Sequence, residues 1–456
     1  MSDDIQRVVV AGGGIVAWSA AAALKRKLPM LDVHVVSSPP PADALADRIA
    51  NTLPSIVQFH ADLGLSDEDT IVRAQSGFRL GSRFSGWGAG DYVHAYGSCG
   101  AGLGGVPFHQ LWLREAGRES YDAYSLGADL GREERFAVSG TADATIGYGL
   151  RLTIDRYLEL IRAYALHLGA TEQAGEVGDV DIREDGFVAA VILADGTRVE
   201  GDLFVDCTGP AAAVRSRIDD KRDSWSRWLL CDRVSVAHVK NETLLDEVAA
   251  TKSGWSSASA SASRGGEGTP FAQGRLAEPW VHNCVAIGDA AVSVEPLEWT
   301  NLHLAHSQID RLVSMMPGKD CAPIELAEYN RQCNAEADRV RDFVIMHYVT
   351  AQRDEPFWKD AASVELPDSL QHSLSLFAER GRLPYYEEET FTRDSWLAVL
   401  FGQGVTPRRV DPLAFSIPDE QVEQTLTNCR QLIAAFVAVQ PSYREFVSQM
   451  GQHARA

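Results

Sequence analysis

Gly12, Gly13 and Gly14, with Ile15, Val16 and Ala17 behind them, carry the first residue types in this chain that could do chemistry. Gly12, Gly14 and Ala17 fit the spacing G-x-G-x-x-G/A. In that spacing the first glycine permits a tight turn and the second lets a pyrophosphate approach the backbone. The small third residue lets helix and strand pack closely. A helix opening here would point free N–H groups and a favourable dipole at the phosphates. The chemistry implied is the holding of a dinucleotide.

The elements that must position such a cradle follow from the flanking pattern. Val8-Val9-Val10 reads as a buried parallel strand, and the run through Leu24 reads as the helix behind it. A second strand, Val33-His34-Val35-Val36, should deliver a ribose-binding acid about twenty residues on. It ends instead in Ser37-Ser38-Pro39-Pro40-Pro41; no Glu occurs before Glu68, Asp32 precedes the strand, and Asp43 lies past the prolines. Ser37 is therefore the expected ribose contact, weaker than a carboxylate. Leu203-Phe204-Val205-Asp206-Cys207-Thr208-Gly209 suits a second strand end facing the nucleotide. Asn283 to Ala291 repeats the theme of strand, Gly288-Asp289 turn and helix entry, so Gly288, Asp289 and the following Leu297 join the cofactor set.

The bulk composition narrows the class. With 456 residues, 45% hydrophobic and 23% charged, the chain has ample material for more than one lobe with its own core. A net charge of −21 argues against nucleic acid or an anionic membrane as partner. The seven cysteines are scattered without a C-x-x-C pair, so neither a disulfide framework nor a zinc site is indicated, and no metal is expected. A polar start and no long apolar run fit a cytoplasmic protein.

Between these motifs the pattern predicts a helix over 42–63 that Pro54 interrupts, and another over 153–168. Residues 77–105 are rich in glycine and aromatics, reading as sheet and loop that either line an aromatic pocket or form hairpin core. A hairpin is expected at Asp195-Gly196. The Ser-Ala repeat within 253–268 reads as a mobile, sparsely packed loop. From Ile324 onward the pattern is mostly helical.

At this point the chain resembles the flavin-dependent tryptophan halogenases over nearly its whole length. The resemblance rests on Gly12 to Trp18, Asp206 to Gly209, Asn283 to Thr300, and Arg341-Asp342-Phe343-Val344-Ile345-Met346-His347-Tyr348. Leu366-Pro367-Asp368, Gly381-Arg382-Leu383-Pro384 and Ser395-Trp396 fit as well. It implies an α/β, flavin-monooxygenase-like (Rossmann-type) body over 1–342 with inserted substrate-side sheet and loops. A mainly helical C-terminal lobe over 343–456 would follow. It also implies FAD, reduced by a separate flavin reductase, with chloride or bromide as co-substrate and a small-molecule or peptide aromatic substrate. A homodimer is compatible with this reading.

Carried over by position, Glu298 matches the catalytic glutamate and Thr300 the halide-site threonine, with Trp299 and Asn301 standing where the family has Ser and Gly. Arg79 takes the place of the catalytic lysine, and no lysine occurs between Lys27 and Lys221. An arginine keeps charge and donors but offers no free amine. Arg48-Ile49-Ala50-Asn51-Thr52 replaces the Gly-Glu-Ala-Thr segment over the flavin, and Trp255 runs straight into the Ser-Ala repeat where a Trp-x-Trp-x-Ile-Pro motif should fall. His94 and Tyr96 match aromatic substrate positions. Two readings follow. One is a divergent flavoenzyme that halogenates or oxygenates an indole-like substrate, with Glu298 and Arg79 catalytic. The other is a non-catalytic homologue with weak or no flavin binding that serves as a partner or binding subunit.

Overall fold

A computed structural model of the chain describes residues 4–88, 90–115, 119–141, 145–238 and 243–453. Among them no helix is long and apolar enough to cross a membrane. The fold is α/β with a helical C-terminal region, and it divides into two compact units. The first comprises 1–76, 152–238 and 265–338; the second comprises 77–151, 239–264 and 339–456.

The first unit is built on a parallel sheet whose strand order is Trp280–Val281, Cys284–Ala286, Leu203–Asp206, Arg7–Ala11, Asp32–Ser37, Thr171–Ala174. Only the Trp280–Val281 edge pairs antiparallel. Val8 sits opposite Leu203 on one side and Val33 on the other. Both faces of Arg7–Ala11 are covered, which is why the sequence there is a run of valines rather than an alternation. Val9, Ala11, Val36 and Phe204 pack against Val188, Val191 and Leu193 of an antiparallel layer. That layer contains the hairpin Val188–Leu193 and Arg198–Glu200, turning at Gly196 as expected. The helix Ile15–Lys27 packs on Ile154–His167 and Asn301–Ser314. Its alanines are buried to 3% exposure or less, and their small side chains permit close helix packing.

The helix expected over 42–63 is not continuous. Leu45–Asp47 forms a single 3₁₀ turn, and the α-helix begins only at Ser55, after Pro54. Proline disfavours the helical conformation in the residue before it and has no N–H to continue the ladder.

In the second unit, Leu245–Thr251 runs parallel to Gly81–Ser85, which pairs antiparallel with Tyr92–Ala95. Gly254–Ser256 and Ala260–Ser263 extend the ladder on the other side. The Ser-Ala repeat is thus a hairpin, in strand at Ser256 and Ala260–Ser263 with a turn at 257–259, and not one long loop. Ala260 and Ala262 are buried while Ser261 and Ser263 are half-buried, an alternation with period two, and Trp255 lies opposite Ala262. Phe84, Trp87 and Tyr92 are core. Phe84 stacks on Tyr92, and Trp87 meets Trp358 edge-on. The hairpin-core expectation holds for these aromatics. The helices Pro356–Ala362, Asp368–Arg380, Arg393–Gly402, Asp419–Ala438 and Tyr443–His453 supply the helical character of the chain's end.

Candidate functional site

The glycine turn of the first unit forms as its spacing requires. Gly12 has φ +129°, and a Cβ there would lie 2.5 Å from the carbonyl oxygen of Cys207. Its N–H donates to Val36 O at 2.9 Å, tying the turn to the second strand. Gly14 caps the helix Ile15–Lys27 without a side-chain bond of its own. Gly288, at φ +68°, donates its N–H to Gln308 Oε1 at 2.8 Å; a Cβ there would lie 3.1 Å from Val16 Cγ1. Gly12 to Ala17 and Gly288 are therefore neighbours, and Asp289 follows in the same turn.

Asp206 faces elsewhere. Its Oδ1 accepts from the N–H and hydroxyl of Thr208, and its Oδ2 accepts from the N–H groups of Val214 and Arg215, each at 2.8 Å. It organises its own turn. Ser37 closes the second strand and, with Ser38, Pro39, Pro41, Thr208 and Ala211, lines a crevice of about 530 Å³ beyond the strand ends.

The residue that sequence reasoning missed is Asp47. Its Oδ1 accepts the Val16 N–H at 2.8 Å, so a carboxylate of the chain itself takes the N-terminus of the first helix. A Cβ on Gly14 would lie 2.3 Å from Asp47 Cγ and Oδ1 and 2.6 Å from Oδ2. The neighbouring Ala46 N–H donates to Asp289 Oδ2 at 2.7 Å, and Arg48 fastens the segment through Pro41 O at 2.8 Å and Pro40 O at 3.0 Å. Burial pushes Asp47 up to about 6, opposed by the Val16 N–H, Arg48 and the Ile15 N–H. Burial raises Asp289 further, to about 8, with the Asp47 charge adding to it against the Ala46 N–H. Asp289 Oδ1 has no hydrogen-bond partner among the described residues. The one sequence signal for this arrangement was an acid displaced from the strand end into the segment before Arg48.

These residues do not fit a bound dinucleotide. The space over Gly14, which the motif keeps free for a diphosphate, holds the Asp47 carboxylate. The aspartate of the Gly-Asp turn spends one oxygen on Ala46 rather than keeping it for a ligand. A diphosphate would also meet the Asp47 carboxylate, a charge of its own sign.

Further along the same unit, Leu297, Glu298 and Trp299 are almost wholly buried. Trp299 adopts φ +60°, a left-handed conformation that costs a side chain of this kind about 1–2 kcal/mol. Thr300 precedes the helix Asn301–Ser314, and its buried Oγ1 has no partner among the described residues; the same holds for Ser293 Oγ and Asn301 Oδ1. Asn301 Nδ2 donates to Val294 O at 2.8 Å.

In the second unit Arg79 is fully buried. Its Nε donates to Asp246 Oδ2 at 2.8 Å, Nη1 to the Tyr96 hydroxyl, and Nη2 to Gly81 O and Ser82 Oγ at 3.2 Å each. Arg151 takes the other Asp246 oxygen at 2.8 Å. Burial works to raise the Asp246 pKa, yet the charges of Arg79 and Arg151 and their hydrogen bonds hold it below the ordinary carboxylate range. His94, 1% exposed, meets Tyr96 edge-on at 6.3 Å and sits beside Phe343 at 5.8 Å. Arg79, His94 and Tyr96 are thus neighbours within a packed interior. Asp246, which binds Arg79 there, and Arg151, which takes its other oxygen, were invisible as partners in the sequence.

With this geometry in hand, residues 7–269 and 256–419 match the family described as tryptophan halogenase. Tryptophan 6-halogenase SttH of Streptomyces toxytricini is 24% identical, over 98% of this chain and 98% of its own. Among solved structures, BrvH, a flavin-dependent halogenase from Brevundimonas sp. BAL3, is 31% identical with a TM-score of 0.90, covering 98% of this chain and 99% of that one. Xcc4156, a flavin-dependent halogenase from Xanthomonas campestris, is also 31% identical, with a TM-score of 0.88 and 98% of each chain covered.

Proposed function

The chain belongs to the tryptophan halogenase family, and within it we propose a non-catalytic member that keeps the fold as a binding or partner subunit and holds no flavin. The observation that carries this reading is the Asp47 carboxylate seated over Gly14 on the helix N-terminus. Three further features support it. Ser37 stands where a ribose-binding acid is expected, and a buried Trp299 adds bulk beside Thr300. Arg79, in the lysine's place, has its guanidinium committed to Asp246, Tyr96, Gly81 and Ser82. A guanidinium so paired stays protonated and supplies no nucleophilic amine. The test is an anaerobic titration of the purified protein with FAD, first oxidised and then reduced, followed by absorbance. No saturable change is expected; micromolar binding of either form would overturn the reading.

A second reading is favoured by the segment 293–301. An acid, Glu298, lies buried there, and the hydroxyls of Ser293 and Thr300 have no partner among the described residues. Buried hydroxyls of that kind ask for an unseen polar guest. Under this reading the protein is a divergent flavin-dependent enzyme acting with a separate reductase on an indole-like substrate. Glu298 orients the oxidant or takes a proton, Thr300 and Asn301 meet halide, and His94 and Tyr96 face the aromatic ring. Its mark would be reductase-dependent turnover of an indole that Glu298→Gln removes.

A further inference from the structure

We propose that Asp47 is the residue that shuts this cradle: its carboxylate is a built-in substitute for a ligand diphosphate, and replacing it by glycine opens the site to an external one. The proposal rests on the flavin-free reading above and names the single group responsible for it.

The reasoning starts from what fills the space over Gly14. The three atoms nearest to a Cβ placed there are Cγ, Oδ1 and Oδ2 of Asp47, and none is a backbone atom. The closest obstruction over Gly14 is one side chain. The strap that carries it is held independently, by Ala46 N–H on Asp289 and by Arg48 on Pro40 and Pro41. Those anchors do not involve the Asp47 carboxylate, so its removal leaves an emptied hollow rather than a displaced strap.

What remains is a site with the right chemistry for a diphosphate. The Val16 N–H, now spent on Asp47 at 2.8 Å, becomes free at the positive end of a thirteen-residue helix. The Asp47 charge is gone, which lowers the repulsion that an incoming anion meets. The second group pointing to a ligand is Asp289, whose buried Oδ1 has no partner among the described residues and whose carboxyl, held protonated at neutral pH by burial, can donate to a phosphate oxygen. Beyond the hollow, the crevice bordered by Ser37, Ser38 and Thr208 offers room for the rest of a nucleotide.

The experiment compares the full chain with Asp47→Gly and Asp47→Asn, using inorganic pyrophosphate and then FAD as probes, by calorimetry and by the shift of the thermal transition. The wild type and Asp47→Asn should bind neither probe, because asparagine fills the same space and can still accept the Val16 N–H. Asp47→Gly should bind both at least tenfold more tightly than the wild type. If Asp47→Gly fails to fold, Asp47→Ala is read in the same way. A wild type that takes up FAD at micromolar concentration would sink the flavin-free reading and this inference together. A wild type and glycine and alanine variants that all stay empty would sink this inference and leave the reading standing. An asparagine variant that binds as well as the glycine variant would overturn it too, since charge and not occupancy would then be the gate.

Discussion

The triad of Asp246, Arg79 and Arg151 allows a prediction with a worked magnitude. Asp246→Asn removes the only negative charge in a group whose three side chains are 3%, 0% and 6% exposed. The new amide keeps one acceptor oxygen and turns an N–H₂ group towards the other guanidinium, so one arginine faces a donor across a dry gap. Breaking a buried pair by deleting one partner costs about 3–5 kcal/mol, and here one carboxylate serves two cations, which points to the upper end. Against a total stability of about 5–15 kcal/mol, that is a large fraction. In urea unfolding followed by tryptophan fluorescence, a loss of about 5 kcal/mol over a slope of about 3 kcal/mol/M moves the midpoint down by roughly 1.7 M. The triple replacement Arg79→Met, Arg151→Met, Asp246→Leu removes every charge of the triad and should recover part of the loss, because apolar groups of similar volume need no partner while Gly81 O, Ser82 and Tyr96 lose a donor. A shift under about 0.3 M for Asp246→Asn, or a triple variant no better than the single one, would refute the assignment of Arg79 to structure. Arg79→Lys belongs to the same argument. Its ammonium would pair with Asp246 and remain protonated, so no halide-dependent product is expected from it with reduced flavin and an indole.

Other perturbations follow from the cradle. Asp47 and Asp289 have folded pKa values raised to about 6 and about 8. Stability from such acids is complete below their ordinary range and is lost as pH rises through those values. His60, lowered to about 4 by burial, works the other way and costs stability only as pH falls below about 6.5. Stability should therefore decline between pH 6.5 and 8.5, by at most about 1.4 kcal/mol per pH unit from Asp289, with Glu389, raised to about 7 by burial, adding in the same sense. Urea midpoints across this range, flattened in Asp289→Asn, check the prediction, and a rise with pH would contradict it. Gly12→Ala forces a Cβ to 2.5 Å from a backbone oxygen at φ +129°, so a thermal transition lowered by many degrees is expected, whereas an unchanged one would mean the turn can shift.

Much of this was legible in the sequence because the signals are local. Gly12 to Ala17 announce a strand-to-helix turn, since only glycine survives a carbonyl at 2.5 Å and only small residues let the helix close on the sheet. The run Val8-Val9-Val10 and the Asp195-Gly196 turn encode their elements within a few residues. The Ser-Ala repeat misled because its composition suggests disorder, while its alternation, small side chains inward, suits a strand packed closely beside Trp255.

Tertiary structure decided the occupancy of the site. Asp47 meets Val16 across 31 positions, Ala46 meets Asp289 across 243, and Arg79 meets Asp246 across 167. Periodicity and motif spacing report what a residue's own segment will do. They are silent on which distant carboxylate will settle over a glycine loop or beside a buried guanidinium. The glycine turn from strand into helix is written in the sequence, because backbone sterics act over neighbouring residues. That Asp47 lies over that turn came only with folding, because desolvation and charge pairing depend on what the fold brings within a few ångströms.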